Sequence, residues 1–214
     1  MRLFGRILKT RAGAGFALAL FGLGGCVSSL SAPEVTSANS AARQIAVADQ
    51  SILITGPKGY CIDPAATRDT AGSAFVLLGA CGAVDGQGGG AKAGLLLASL
   101  TSSGAGRVAG ATEQLAIYFA SPEGRAALSR SGDAQAVKLL DHRVENDALY
   151  LYLRDTSQAS LAGVAPEYWR GMFDVNGHIA TVSVMDFAQA PNKANTGLER
   201  ARAFRRKIRP ANQK

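Results

Sequence analysis

Ala148-Leu149-Tyr150-Leu151-Tyr152-Leu153 sets Leu149, Leu151 and Leu153 at one parity and Tyr150 and Tyr152 at the other. A strand turns successive side chains to opposite sides, so this segment is apolar in front and behind. Such a strand belongs in the middle of a sheet covered twice. The rest of the chain has to supply its neighbours and its covers.

Downstream, Tyr168-Trp169-Arg170-Gly171-Met172-Phe173 runs into Asp174-Val175-Asn176-Gly177, and Asn-Gly is the strongest local hairpin signal because both residues accept a left-handed backbone. A return strand is expected over His178 to Met185. Upstream, Ala136 to Asp141 reads as a strand, with a turn at Glu145-Asn146-Asp147. Thr196 to Ile208 reads as a closing helix, with Leu198, Ala201, Phe204 and Ile208 on one face and Glu199, Arg202, Arg205 and Arg206 over much of the rest. Val108 to Tyr118 and Glu123 to Arg130 also read as helices, the second opened by Pro122 with Ser121 as its cap.

In the first half, Ile45 and Val47 alternate and Ile52-Leu53-Ile54 precedes Thr55-Gly56-Pro57, which fits two short strands or one bulged strand. Gly59 to Pro64 is extended, and Ala74 to Gly79 and Gly94 to Leu100 have the length and character of strands. Gly82, Gly86, Gly88, Gly89 and Gly90 read as a plain connector, since the spacing of a phosphate-binding loop is missing and Lys92 is followed by Ala93. This order predicts an α+β fold: a single domain, residues 44–214, with an antiparallel sheet packed against helices.

The N-terminal residues have a different logic. A basic opening (Arg2, Arg6, Lys9, Arg11) precedes an apolar run from Gly15 to Leu23 and then small residues, the layout of an export signal too short for a permanent membrane span. Leu23-Gly24-Gly25-Cys26 resembles the lipobox of bacterial lipoproteins. That resemblance implies a signal peptide over residues 1–25, lipid attachment at Cys26, and membrane anchoring through several acyl chains. Residues 26–43, small and polar, would be a flexible tether. Val27 and Ser28 stand where that class uses aspartate for inner-membrane retention, so the expected location is the periplasmic face of the outer membrane.

Loss of the signal removes four basic residues and lowers the formal charge from +7 to +3. That is ordinary for this length and gives no case for nucleic acid as a partner. With Cys26 acylated, Cys61 and Cys81 remain as a pair, read as a structural disulfide in an oxidising compartment.

Chemistry is sparse. Asp141-His142 and His178 are the histidine positions, both expected at the surface or rim, with too few companions for a metal. No Gly-x-Ser-x-Gly elbow is present. No catalytic residues, metal or cofactor are assigned, and catalysis is not expected; the alternative is a small periplasmic hydrolase or enzyme accessory using His142 and His178. Tyr60, Tyr168 and Trp169 are candidate binding aromatics, core packing being the alternative role of Trp169, and Tyr150 and Tyr152 could instead line the helix-covered face. Arg202, Arg205 and Arg206 lie in a basic end that reads either as a solvated helix face or as a contact for anionic envelope polymer or lipid headgroups. The segments His178 to Val184 and Ala203 to Ile208 loosely resemble the end of PsbP-like domains, which implies a protein-binding or scaffolding role without a shared catalytic set. The function expected is therefore that of an envelope lipoprotein with a structural or protein- or ligand-binding role.

Overall fold

The structure, a computed structural model, describes residues 41–70, 72–88, 94–101, 104–157 and 163–211. These fall within one compact unit, Ala38–Lys214. Cys26, the signal, tether residues 26–40, Gly89 and Gly90 lie outside the described residues.

In chain order the elements are β1 (Gln44–Val47), β2 (Ile52–Thr55), β3 (Tyr60–Ile62), β4 (Arg68–Thr70), β5 (Ser73–Ala80), α1 (Cys81–Val84), β6 (Leu95–Leu100), α2 (Thr112–Ala120), α3 (Pro122–Leu128), β7 (Val137–Glu145), β8 (Ala148–Asp155), β9 (Val164–Val175), β10 (His178–Phe187), α4 (Ala194–Arg205) and β11 (Ile208–Pro210). The larger sheet runs β3-β5-β6-β10-β9-β8-β7, with β4 also paired to β5, and β1-β2-β11 form a small second sheet. Every pairing among the described residues is antiparallel. This is the α+β, single-domain arrangement expected, an antiparallel sheet packed against helices.

β8 lies inside the sheet and is covered twice. Tyr150 belongs to a core shared with Trp169, Phe173, Val182, Leu198, Ala201 and Phe204, together with Val47, Ile52, Ile54 and Ile208 of the small sheet. Leu149, Leu151 and Leu153 belong to a second core with Ala116 of α2 and Leu128 of α3. One side of the large sheet therefore carries α4 and the small sheet, and the other carries α2 and α3.

Local chemistry explains the boundaries. The β9–β10 turn has Asn176 at φ 46° and Gly177 at φ 79°, the left-handed pair that a two-residue hairpin needs. Asn146 and Asp147 turn β7 into β8 by the same means. Ser121 Oγ accepts a hydrogen bond from Gly124 N at 3.1 Å, and Pro122 opens α3. β1 and β2 prove to be two strands, joined by Ala48, Asp49 and Gln50, all at positive φ.

Several expectations need correction. The first middle helix begins at Thr112 rather than Val108, because the backbone N–H groups of Val108 and Ala109 donate to the Asp174 carboxylate at 2.9 Å and so cap the loop before the helix. The closing helix ends at Arg205. Lys207 N then bonds to Phe204 O in a tighter turn, and Ile208 leaves the helix to pair with Ile54. Pro210 steers Arg209 toward extended backbone, which suits its place in β11. The glycine-rich connector starts with a helical turn, α1, that contains Gly82. Ala42 and Arg43, placed in the tether, give their carbonyls to Ile62 N and Gly56 N.

Cys61 and Cys81 form a disulfide, with Cα atoms 4.7 Å apart across a separation of 20 residues. It closes β3 onto the turn after β5, which on the chain-entropy account stabilises the fold by about 3 kcal/mol.

Candidate functional site

A cleft of about 230 Å³ opens where β8, β9 and β10 meet the start of α4. Register builds its floor: Tyr152 on β8 faces Trp169 on β9, which faces Val184 on β10. The two rings stack with centroids 5.1 Å apart and planes 21° from parallel. Trp169 Nε1–H donates to Ala194 O at 2.7 Å, fixing the indole under the first turn of α4. Gly197 makes that approach possible, since a Cβ there would lie 2.8 Å from Trp169 Cδ1. Ala165, Pro166, Ala188 and Pro191 make the remaining walls largely apolar.

The tyrosine and carboxylate groups at the rim are already engaged with partners. Tyr152 donates its phenolic proton to Glu167 Oε2 at 2.7 Å, and Arg154 Nε donates to Oε1 at 2.9 Å. Burial, reinforced by the bond to Glu167, pushes the Tyr152 phenol up to about 12. The hydrogen bond from Arg154, helped by that from Tyr152, holds the Glu167 carboxyl below the usual glutamate value. Asp186 accepts from Asn192 N at 3.0 Å, Asn192 Nδ2 at 2.7 Å and Arg200 Nη1 at 3.2 Å. A phenol with a raised pKa and carboxylates committed to guanidinium and amide partners make poor general bases at neutral pH. The arrangement suits holding a ligand or a protruding side chain.

The remaining candidates are spread over the molecule. Tyr60 is buried, with the Arg200 guanidinium 6.0 Å from its ring centre, so it is no part of an open surface. Arg202 forms a two-pronged pair with Glu145, its Nε 2.9 Å from Oε2. That hydrogen bond lowers the Glu145 carboxyl and raises Arg202. Arg205 donates to Asn146 O at 2.7 Å and lies 5.4 Å from the Phe173 ring. Arg206 is exposed and, with Arg205, Arg209 and Asn176, borders a second, more open cleft of about 350 Å³. The basic end is thus divided between internal ties and a short exposed stretch.

His142 and His178 cannot share a site. His142, exposed in the middle of β7, pairs with Leu151 and takes the α2–α3 side. His178 shares the parity of Ala180 and Val182, which face α4. It is 8% exposed rather than at the surface, and its Nδ1 donates to Thr101 O at 2.6 Å. Three strand-to-strand steps and the thickness of the sheet separate the two rings. Among the described residues, no group of three or more His, Cys, Asp or Glu is placed to hold a metal ion. No helix among them is long and apolar enough to cross a membrane.

Sequence reasoning found Trp169 and allowed Tyr152 on the helix-covered face, but it missed Glu167 and Asp186 as their companions. Only strand register brings them together; the spacing along the chain carries no sign of it. The tyrosine alternation in β8 was the one available hint that an aromatic row faces α4.

No family model matches the sequence, and no curated protein matches it. The fold has a distant resemblance to the solution structure of cyanobacterial PsbP (CyanoP) from Synechocystis sp. PCC 6803, with 10% sequence identity, a TM-score of 0.43, and coverage of 81% of this chain and 94% of that one.

Proposed function

We propose that this chain is an exported envelope lipoprotein whose domain binds or scaffolds a partner and performs no reaction of its own. Residues 1–25 act as the signal, Cys26 carries the lipid, and residues 26–43 link it to the domain of residues 44–214. The observation that carries the binding role is the cleft at Tyr152 and Trp169, whose aromatic floor is combined with polar groups already satisfied internally. The Cys61–Cys81 bridge supports export, because such bonds persist in oxidising compartments. The periplasmic face of the outer membrane is the location that fits Val27 and Ser28.

One experiment addresses anchor and partner together. A photo-crosslinking residue at Lys193, which is exposed at the cleft rim, is introduced in cells into the parent and into Cys26→Ser. The parent should fractionate with membranes and yield a discrete adduct that Tyr152→Ala weakens. Cys26→Ser should leave the membrane. A variant as firmly bound as the parent overturns the lipid anchor, and an adduct indifferent to Tyr152→Ala, or none, overturns the cleft as the binding site.

A further inference from the structure

On the α2–α3 side of the large sheet, polar groups collect where apolar ones are expected. Arg170 on β9 pairs in register with Ser183 on β10, and Tyr168 with Met185, so Arg170, Ser183 and Tyr168 project from one side of two adjacent strands. Tyr168 and Ser183 are each 2% exposed. The Tyr168 hydroxyl, the Arg170 Nε–H and the Ser183 hydroxyl are all buried without a hydrogen-bond partner among the described residues. The flanking strands offer no acceptor side chain in this row, since Arg170 faces Leu151 on β8 and Ser183 faces Leu97 on β6.

Charge is unbalanced at the same place. The guanidinium carbons of Arg130 and Arg170 lie 5.3 and 5.4 Å from the centre of the Tyr168 ring. Arg130 has a carboxylate, Asp155, at 3.5 Å. Arg170 has none among the described residues, and Asp155 is further occupied by Ser157 N at 2.9 Å. Arg170 as a whole is half-buried, but its Nε–H is buried, and a guanidinium carries donors only. Native proteins rarely leave buried donors unpaired, so three in one patch call for an explanation.

We infer that Arg170, Ser183 and Tyr168, with Arg130 as the second cation, form a binding site for a small oxyanion: the carboxylate or phosphate group of a ligand. The planar edge of a guanidinium presents parallel N–H donors that match two oxygens of either group. The two hydroxyls supply further donors, and Leu151 and Leu97 wall the site with apolar surface that strengthens the charge interaction.

The test uses the full chain, labelled with ¹⁵N and held in neutral detergent. Inorganic phosphate and acetate are titrated separately against sodium chloride at equal ionic strength, while the Arg170 Nε–H resonance and the melting temperature are followed. The expected result is a shift that saturates with phosphate or acetate and not with chloride, accompanied by a rise in melting temperature over the same concentrations. The anion that saturates first defines a tetrahedral or a planar site. Ser183→Ala should weaken the response about tenfold, as loss of one hydrogen bond to a charged group does, and Arg170→Met should abolish the melting-temperature rise. A shift that never saturates, or an equal effect of chloride, overturns the site. An equal temperature rise in Arg170→Met does so as well. Should Arg170→Met not fold, Ser183→Ala decides, and unchanged affinity in it overturns the assignment.

Discussion

The two sides of the large sheet start from the same strands and are finished differently. Toward α4, Tyr150, Trp169, Phe173, Val182 and Phe204 are buried in one core that includes the small sheet, and the indole N–H has a carbonyl to bond. Toward α2 and α3, Leu149, Leu151 and Leu153 are buried, yet one and two strands further on come Arg170 and Ser183 with donors unmet. Ile117 on α2 is 74% exposed and Tyr118 45%. The helices on this side lie against β7 and β8, whereas α4 lies across β9 and β10. One side therefore holds the larger buried cluster, and the other leaves buried donors unpaired and an apolar helix face exposed.

The contrast can be broken most directly by removing bulk from the α4 side. Phe204→Ala, at a fully buried position, should cost about 3–5 kcal/mol in chemical denaturation, as truncations of buried aromatic side chains do. Replacing both Cys61 and Cys81 by serine should cost about 2–4 kcal/mol in the same assay. Gly197→Ala sharpens the comparison at a single carbon. Helix propensity favours alanine by about 1 kcal/mol, but the new Cβ would sit 2.8 Å from Trp169, and overpacking of about 1–3 kcal/mol should prevail, seen as a lower melting temperature and altered tryptophan fluorescence. A variant more stable than the parent would show that α4 can slide on the sheet.

Smaller effects follow from the charged rim and the opposite helix. Glu145 has its pKa lowered in the folded state, from 4.5, mainly by Arg202. A lowered carboxyl contributes stability that is fully present above the unfolded value and is lost as pH falls through the folded one, so the pair should fade in that acid window and be absent in Glu145→Gln. The bond is partly exposed and worth about 1 kcal/mol or less. Tyr152 behaves in the opposite sense: its phenol at about 12, against 10.0 for an unfolded chain, favours the fold up to the lower value and ceases to do so as pH rises through the higher. Tyr152→Phe should remove that alkaline component from a spectroscopic titration. Least of all, Ile117→Ser should change stability by no more than about 0.5 kcal/mol. A larger loss would mean that α2 is covered by something the domain folds around.

Much of the architecture could be read from residue order because it rests on short-range rules. Alternation identified β8 as covered on both sides, although it lies next to the edge strand β7 rather than at the centre, Asn176-Gly177 identified the hairpin, and Ser121-Pro122 opened α3. The failures occurred where long-range pairing overrode local pattern. Ile208 fits the helical spacing of Leu198, Ala201 and Phe204, yet Ile54 recruits it into a sheet. β4 has no apolar period at all, being wholly exposed, and exists because it lies along β5. The cleft was legible only through Trp169 and the tyrosine alternation of β8, since its other polar members come from separate strand ends and the entry to α4. The buried donors were invisible for the same reason, as nothing in the local sequence distinguishes Arg170 or Ser183 from a surface arginine or serine.

β11 fastens to β2, which fastens to β1, so a latch made from the last strand holds the first two. A chain delivered with its N-terminus leading has to wait for nearly the whole domain before that latch can close. Until then β1 and β2 present apolar Ile52 and Ile54 with no roof and an unpaired edge, the state in which a chaperone or a protease would find them. Removing Ile208 to Pro210 would leave that vulnerability permanent, with the loss appearing at the opposite end of the sequence from the cut.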